Sequence, residues 1–244
     1  MRWPGWMGAA VVLTAGWSVA AQDPTLQWSS PSAGSINGSK ATIDDRPCCG
    51  ATTDAVPVPD SDAAVVAGLP GKAARDGRVL SLSLAGGRTL RLIDCDEASG
   101  CTADDTRLHR LVDWWPDHRL YVVAVGLYEE SVAYLVSERD GAALVTTAPP
   151  VLSPSRRQAV ALVSNLISGV DLEIVDLVHE PPSLAKVTPL PDCGGAGPEA
   201  FLRPRPVWLD DRTVTFEGEP PLPAARPDTR QVLRVEGGRA HWQC

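Results

Sequence analysis

Three stretches of the chain align without a gap on an arginine: Trp115-Pro116-Asp117-His118-Arg119-Leu120-Tyr121-Val122, Ser153-Pro154-Ser155-Arg156-Arg157-Gln158-Ala159-Val160 and Trp208-Leu209-Asp210-Asp211-Arg212-Thr213-Val214-Thr215. Each is a tight polar turn feeding an apolar strand, and Pro, Asp and Ser are residues that favour such turns. The arginines are spaced by 38 and 55 residues, close to the period of roughly 40 to 50 residues at which propeller blades recur. A unit that repeats in this way predicts an array of small sheets.

The segments between the turns carry the matching signal. Four hairpins are expected: Val79 to Leu84 with Thr89 to Asp94 across Ala85-Gly86-Gly87, Val132 to Ser137 with Ala143 to Thr147 across Arg139-Asp140-Gly141, Leu172 to Leu177 with Leu184 to Leu190, and Gln231 to Val235 with Arg239 to Trp242 across Gly237-Gly238. Gly-Gly and Asp-Gly supply the positive φ that short hairpin loops need. Alternation such as Val79-Leu80-Ser81-Leu82-Ser83-Leu84 puts apolar side chains on one face of a sheet. Helical periodicity is absent over comparable lengths, and Pro interrupts the candidates. The fold class expected is all-β.

The turns resemble the Trp-Ser-Pro-Asp-Gly-Lys/Arg unit of the propeller repeats (PD40-type) in the periplasmic protein TolB and its relatives. Pro116-Asp117 and Ser153-Pro154 keep fragments of that signature, while the family's Gly is replaced by His118, Arg156 and Asp211. The resemblance spans about Val79 to Trp242. It implies a propeller-like array and contacts with other envelope proteins, and it carries over no binding residue. At about 40 residues per blade, a six-bladed propeller needs more chain than lies between Arg78 and Cys244. A small or incomplete propeller-like array fits, with a β-sandwich as the alternative.

Residues 1–21 read as a secretory signal: Arg2 supplies the charge, Met7 to Val19 the apolar run, and Ser18-Val19-Ala20 or Val19-Ala20-Ala21 the small residues for cleavage. Residues 22–75 are rich in Ala, Ser, Pro, Gly and Asp without periodicity, a composition that predicts a mostly disordered leader. Residues 76–244 form the β-repeat domain, long enough for a core. Export makes the six cysteines disulfide candidates. Cys95 and Cys101 bracket a short acidic loop and are the first pair expected; Cys193 with Cys244 is a second, tying the carboxyl end to the last repeat. Cys48 and Cys49 are adjacent, and an ordinary bridge or tether outweighs a soft-metal or strained-ring role, because neighbouring strand side chains point to opposite faces.

Charge excludes some partners. Without residues 1–21, which hold Arg2 and no acid, 21 basic side chains face 30 acidic ones, a net of −9. Nucleic acid demands a basic surface, and here only Arg156-Arg157 adjoin. No apolar stretch after the signal reaches the roughly 20 residues that a membrane helix needs, so no membrane insertion is expected. Arg outnumbers Lys 19 to 3, as in the coding usage of GC-rich bacteria.

Chemistry is weakly written. Asp94, Asp96 and Asp105 echo positions one, three and twelve of a calcium loop, but Ala98 stands at position five and Gly100 falls one place late, so a solvated, disulfide-closed loop is the better reading. Asp44-Asp45, Glu129-Glu130 and Asp210-Asp211 are paired acids of the type that sugar hydrolysis uses when they converge across a bond. The latter two pairs suit turn and loop-tip positions. His109, His118, His179 and His241 stand at no metal-ligand spacing. Trp114, Trp115 and Trp208 could stack on glycans, although two of them share one repeat column and suit the core better. Nucleophile-elbow, zinc-protease and phosphate-loop motifs are missing. No catalytic, cofactor or metal residue is therefore assigned. The expectation is an exported, non-enzymatic binding or scaffold protein of the bacterial cell envelope, with an envelope protein or glycan as partner. The alternatives are a periplasmic polysaccharide hydrolase or lyase using acids such as Glu129 and Asp210, and a calcium- or glycan-binding module.

Overall fold

The computed structural model describes residues 62–128, 131–165, 169–187, 205–218, 232–236 and 239–243. A one-turn helix α1 (Ala63–Ala67) precedes strands β1 (Ala73–Asp76), β2 (Val79–Ser83) and β3 (Thr89–Ile93) of a first sheet. The second sheet holds β4 (Leu108–Trp115), β5 (Leu120–Gly126), β6 (Ser131–Ser137) and β7 (Ala143–Thr146), and the third β8 (Val151–Leu152), β9 (Gln158–Asn165), β10 (Gly169–Asp176) and β11 (Ser183–Val187). The fourth holds β12 (Arg205–Asp210), β13 (Thr213–Glu217), β14 (Val232–Glu236) and β15 (Arg239–Gln243). Every sheet is an antiparallel meander in chain order. The protein is all-β, as expected.

The four expected hairpins form in the expected pairings, with Val79 opposite Ile93, Val136 opposite Ala143, Val175 opposite Leu184 and Val235 opposite Ala240. Gly86 and Gly87 at φ 74° and 73° and Gly141 at φ 78° supply the left-handed residues. Residues 188–190, Gln231 and the Gly237-Gly238 loop lie outside the described residues.

One hydrogen bond recurs at every repeat turn. The carbonyl of each aligned arginine accepts an amide at the far end of the third strand of its sheet: Glu138 to Arg119 at 2.8 Å and Leu177 to Arg157 at 3.0 Å, each just past the strand, and Val235, the last residue but one of its strand, to Arg212 at 2.8 Å. A fourth copy is Asp94 to Arg78 at 2.8 Å. Its turn reads Asp76-Gly77-Arg78, a Gly standing where the other copies have His118, Arg156 and Asp211. Gly77 has φ 52°, and two of the other three turns hold Arg119 and Arg156 at φ 53° and 59°, a conformation that Gly adopts at no steric cost.

This fourth turn moves the start of the fold upstream. Residues 62–75, expected to close a disordered leader, instead form α1 and β1, and Asp62 is buried. Low periodicity misled the reading because α1 is too short to display any; its Val65, Val66 and Leu69 still pack on the core. The rest of the leader, residues 22–61, the signal, Cys48, Cys49, Cys193 and Cys244 lie outside the described residues.

Strand number sets polarity. A four-strand meander returns to the end at which it began, so the turns at Arg119, Arg157 and Arg212 share one end of the molecule. His118 Nε2 meets the Arg156 carbonyl at 2.6 Å there, and the Ser155 amide donates to Asp211 Oδ1. A three-strand meander leaves at the opposite end, so the first sheet is reversed. Tyr121 at the start of β5 donates to the Ser83 carbonyl at the end of β2, 2.6 Å. Meanwhile Asp94, beside the Arg78 turn, accepts the His109 amide at the start of β4, 2.6 Å.

The core is divided, and the strands that open at the three repeat turns do not share it: Val160 and Val214 lie in one cluster and Val122 in another. Leu80, Leu82, Leu90 and Leu92 pack against Tyr121, Val123, Val125 and Tyr134 between the first and second sheets. Trp115, Leu120, Val122 and Leu135 meet Ala159, Val175 and Leu177 between the second and third. Val160, Leu162, Leu172 and Ile174 meet Val214, Phe216, Leu233 and Val235 between the third and fourth. A sheet covered on both faces needs apolar residues at successive positions. Leu120 to Val123 are accordingly all buried, whereas β3 alternates Thr89 and Arg91 outward with Leu90 and Leu92 inward.

The expected bridge is present: Cys95 and Cys101 form a disulfide, their Cα atoms 6.0 Å apart, with 2% and 6% of each residue exposed. Asp96 Oδ1 accepts the Ser99 amide within the loop at 3.0 Å, and Ser99 Oγ accepts the Asp96 amide at 2.8 Å. Replacing both cysteines by Ser should lower stability by about 2 kcal/mol, the chain-entropy value for so short a loop. Chemical denaturation of the two proteins measures it.

Candidate binding rim

The end where three repeat turns converge is also where the loops after β6 and β10 fall, because each repeat hydrogen bond ties turn to loop. Two clefts open there. One, between the second and third sheets, encloses about 640 Å³; Leu135, Leu144 and Leu177 give it an apolar side, and His118, Arg119, Arg139 and Glu180 a polar one. The other, between the third and fourth, encloses about 580 Å³ and is lined by Arg157, Gln158, Asp176, Arg212 and Glu236 among others. Val178 and His179, on the loop after β10, border both.

Charges on the rim are paired locally. Arg139 meets Glu180 at 2.6 Å, Arg156 meets Asp117 at 2.7 Å and Arg212 meets Glu236 at 3.6 Å. His179 Nδ1 lies 3.2 Å from Asp176 Oδ2, whose Oδ1 accepts the Val178 amide. Such exposed pairs contribute about 0 to 1 kcal/mol each and exchange readily for a ligand's groups. Glu138 is more firmly held by Lys72 at 2.7 Å and Arg119 at 3.3 Å. Its burial would raise the carboxyl's pKa, but the hydrogen bonds from Lys72 and Arg119 outweigh this and lower it.

Of the paired acids, Asp210 Oδ1 accepts the Arg212 amide at 2.7 Å, a bond that lowers its pKa. Asp211 caps the neighbouring Ser155 turn and its carbonyl accepts from Gln158 Nε2. A glycosidase acid must instead be held protonated across a cleft from a second carboxylate. Glu129, Glu130, Asp44 and Asp45 lie outside the described residues.

The three carboxylates of the calcium echo each have protein partners. Asp94 is fully buried in a salt-bridged hub: Oδ1 takes the His109 amide and faces His109 Nδ1 at 3.1 Å, and Oδ2 meets Arg110 at 2.7 Å and Arg75 at 3.1 Å. Arg75 also meets Asp62 Oδ2 at 2.8 Å, and that oxygen takes the Leu111 amide at 3.0 Å. Asp96 caps its loop and pairs with Arg78 at 2.8 Å, while Asp105 accepts the Thr102 hydroxyl at 2.6 Å. The three carboxylates are spent on separate protein partners. No cluster of three metal-ligating residues occurs among the described residues.

The remaining candidates are placed by packing. His109 belongs to the hub, His118 bridges two turns, His179 borders both clefts, and His241 pairs with Arg234 across β14 and β15. Trp115 is core, its indole N–H donating to Asp113 at 3.1 Å. Trp208 donates to the Val151 carbonyl at 2.9 Å, from the fourth sheet to the third. Trp114 stacks on Tyr121 at 4.6 Å, with the Lys72 ammonium 4.9 Å from its ring. Sequence reasoning missed Arg139, Glu180 and the Asp62–Arg75 pair; the Asp-Gly-Arg turn was the one visible sign that residues before 79 were folded.

Burial, and for Tyr121 the nearby Glu138 charge, pushes the phenols of Tyr121 and Tyr134 up to about 12. A raised acid pKa supplies stability that is complete below the unfolded value near 10 and is lost as pH climbs through the folded one. In an alkaline absorbance titration, two of the three tyrosines should therefore ionise near pH 12 or together with unfolding.

The protein-family models, curated proteins and solved structures compared with this chain give no match.

Proposed function

We propose that this is an exported, non-enzymatic binding or scaffold protein of the bacterial cell envelope, and that it binds through the turn-end rim. The reading is carried by one observation: three successive repeat turns bring two clefts side by side at the same end, with locally paired charges around them. Concave sites with an apolar floor and a few polar groups are the usual form of a binding site. The stack of the second, third and fourth sheets, all in one sense, supports a propeller-like array, and the reversed first sheet acts as a sandwich-like lid on it. The polar outer positions Thr89 and Arg91 suit a terminal cap in such an array. The buried disulfide suits an oxidising compartment. No helix among the described residues is long and apolar enough to cross a membrane.

Two measurements test it. Alkaline phosphatase fused after residue 244 should be active, since it folds only when exported. Photo-crosslinking residues placed in living cells at Arg139 and His179 should give a discrete adduct that the same residue placed at Asp76, at the opposite end, does not. An inactive fusion removes export, and identical adduct patterns from both ends remove the rim.

A further inference from the structure

Among the described residues the first sheet has three strands where each of the others has four, and the place of a fourth is the outer edge of β3. The ladder fixes which groups face it. Asp94 donates to the Arg78 carbonyl and Leu84 to the Arg88 carbonyl, so even-numbered residues of β3 bond to β2. The N–H and C=O groups of Thr89, Arg91 and Ile93 therefore point to the free side, and no described residue pairs with them. The chain itself begins to fill this place: Cys95 and Arg107 exchange both backbone hydrogen bonds at 2.8 Å as a single bridge. Leu108 then leaves for β4, because the second sheet claims it opposite Gly126.

We propose that the edge of β3 accepts an extended acidic segment of a partner protein as a fourth strand. An added strand recovers main-chain hydrogen bonds along an open edge, and its alternate side chains set the specificity. A residue opposite Arg91 shares the outward face with it. Arg91 is exposed and makes no ion pair or side-chain hydrogen bond with a described residue. It thereby discourages edge-to-edge pairing of two copies, which would set Arg91 against its own image, and favours a carboxylate opposite. Leu90 and Leu92 face the core on the other side, so apolar residues alternating with acids fit the place.

The test uses two blocked octapeptides, alternating Val with Glu and Val with Lys, added at low salt to the full chain without its signal. The Val-Glu peptide should slow amide exchange at Thr89, Arg91 and Ile93 by about tenfold or more, as ladder bonding requires, and the Val-Lys peptide should not. Arg91→Glu should reverse the preference, and Arg91→Pro, which removes an N–H that bonds to no described residue, should abolish protection by either. Equal protection by both peptides, or none from Val-Glu at millimolar concentration, overturns the proposal. Neither outcome bears on the rim, which lies on other sheets.

Discussion

Asp94→Asn is expected to lower the free energy of unfolding by about 3 to 5 kcal/mol, the range for removing one partner of a buried ion pair. Asp94 is wholly buried and serves Arg75, Arg110 and the His109 amide at once. The amide side chain keeps the shape but leaves the Arg75 and Arg110 charges facing a neutral group. Arg75 in turn holds Asp62, which fastens the start of the fold to the Leu111 amide in the second sheet. Asp62 Oδ1 is buried without a hydrogen bond, so the hub has little slack to absorb the loss. Urea denaturation at neutral pH measures the effect, and a cost near 1 kcal/mol, the value of an exposed pair, would show that the hub is solvated.

Acid should reach the same hub. Burial would raise the Asp94 pKa, but the hydrogen bonds and charge of His109 and the hydrogen bond from Arg110 outweigh it and carry the carboxyl below the ordinary carboxylate range. Asp96 is lowered likewise, burial being offset by Arg78 and Ser99. A depressed carboxylate contributes stability that is complete above the unfolded pKa and is lost as pH falls through the folded one. Wild type should therefore lose stability below about pH 4, and Asp94→Asn should lose less over that interval, because part of the titrating linkage is gone.

Strands and hairpins were legible because their signals are local: Gly-Gly and Asp-Gly turns, and alternation in Val79 to Leu84. The repeat was legible too, although only three of its four turns. Asp76-Gly77-Arg78 lacks the Trp or Ser-Pro that marks the others, yet its backbone makes the same bond. The sheet interfaces were not legible. Which faces of β5 and β9 meet is decided by stacking order, and stacking order depends on the three-strand count of the first sheet. The sequence hides that count, because Arg107 and Leu108 could as well have continued along β3. For the rim, the paired acids and histidines could be found, but not their partners. Asp117 finds Arg156 and Ser155 finds Asp211 only once neighbouring turns share an end.

The divided core makes a second strong prediction. Trp115→Ala should cost about 3 to 5 kcal/mol, the range for a buried aromatic. Trp115 is 2% exposed and joins Leu120, Val122 and Leu135 against Ala159, Val175 and Leu177, so its removal opens the interface beneath the larger cleft. Smaller truncations resolve the interfaces from one another. Val122→Ala, Val160→Ala and Val214→Ala should each cost about 1 to 3 kcal/mol, since each valine is at most 1% exposed. Val160 and Val214 share the interface between the third and fourth sheets, whereas Val122 lies in the one before it. Effects add to within about 0.5 kcal/mol when two sites share no partners and depart from additivity when they share a cavity. Val122→Ala with Val160→Ala should therefore add, and Val160→Ala with Val214→Ala should not. Coupling of the first pair as strong as that of the second would restore a single continuous core and dissolve the stack of separate sheets on which the paired clefts depend.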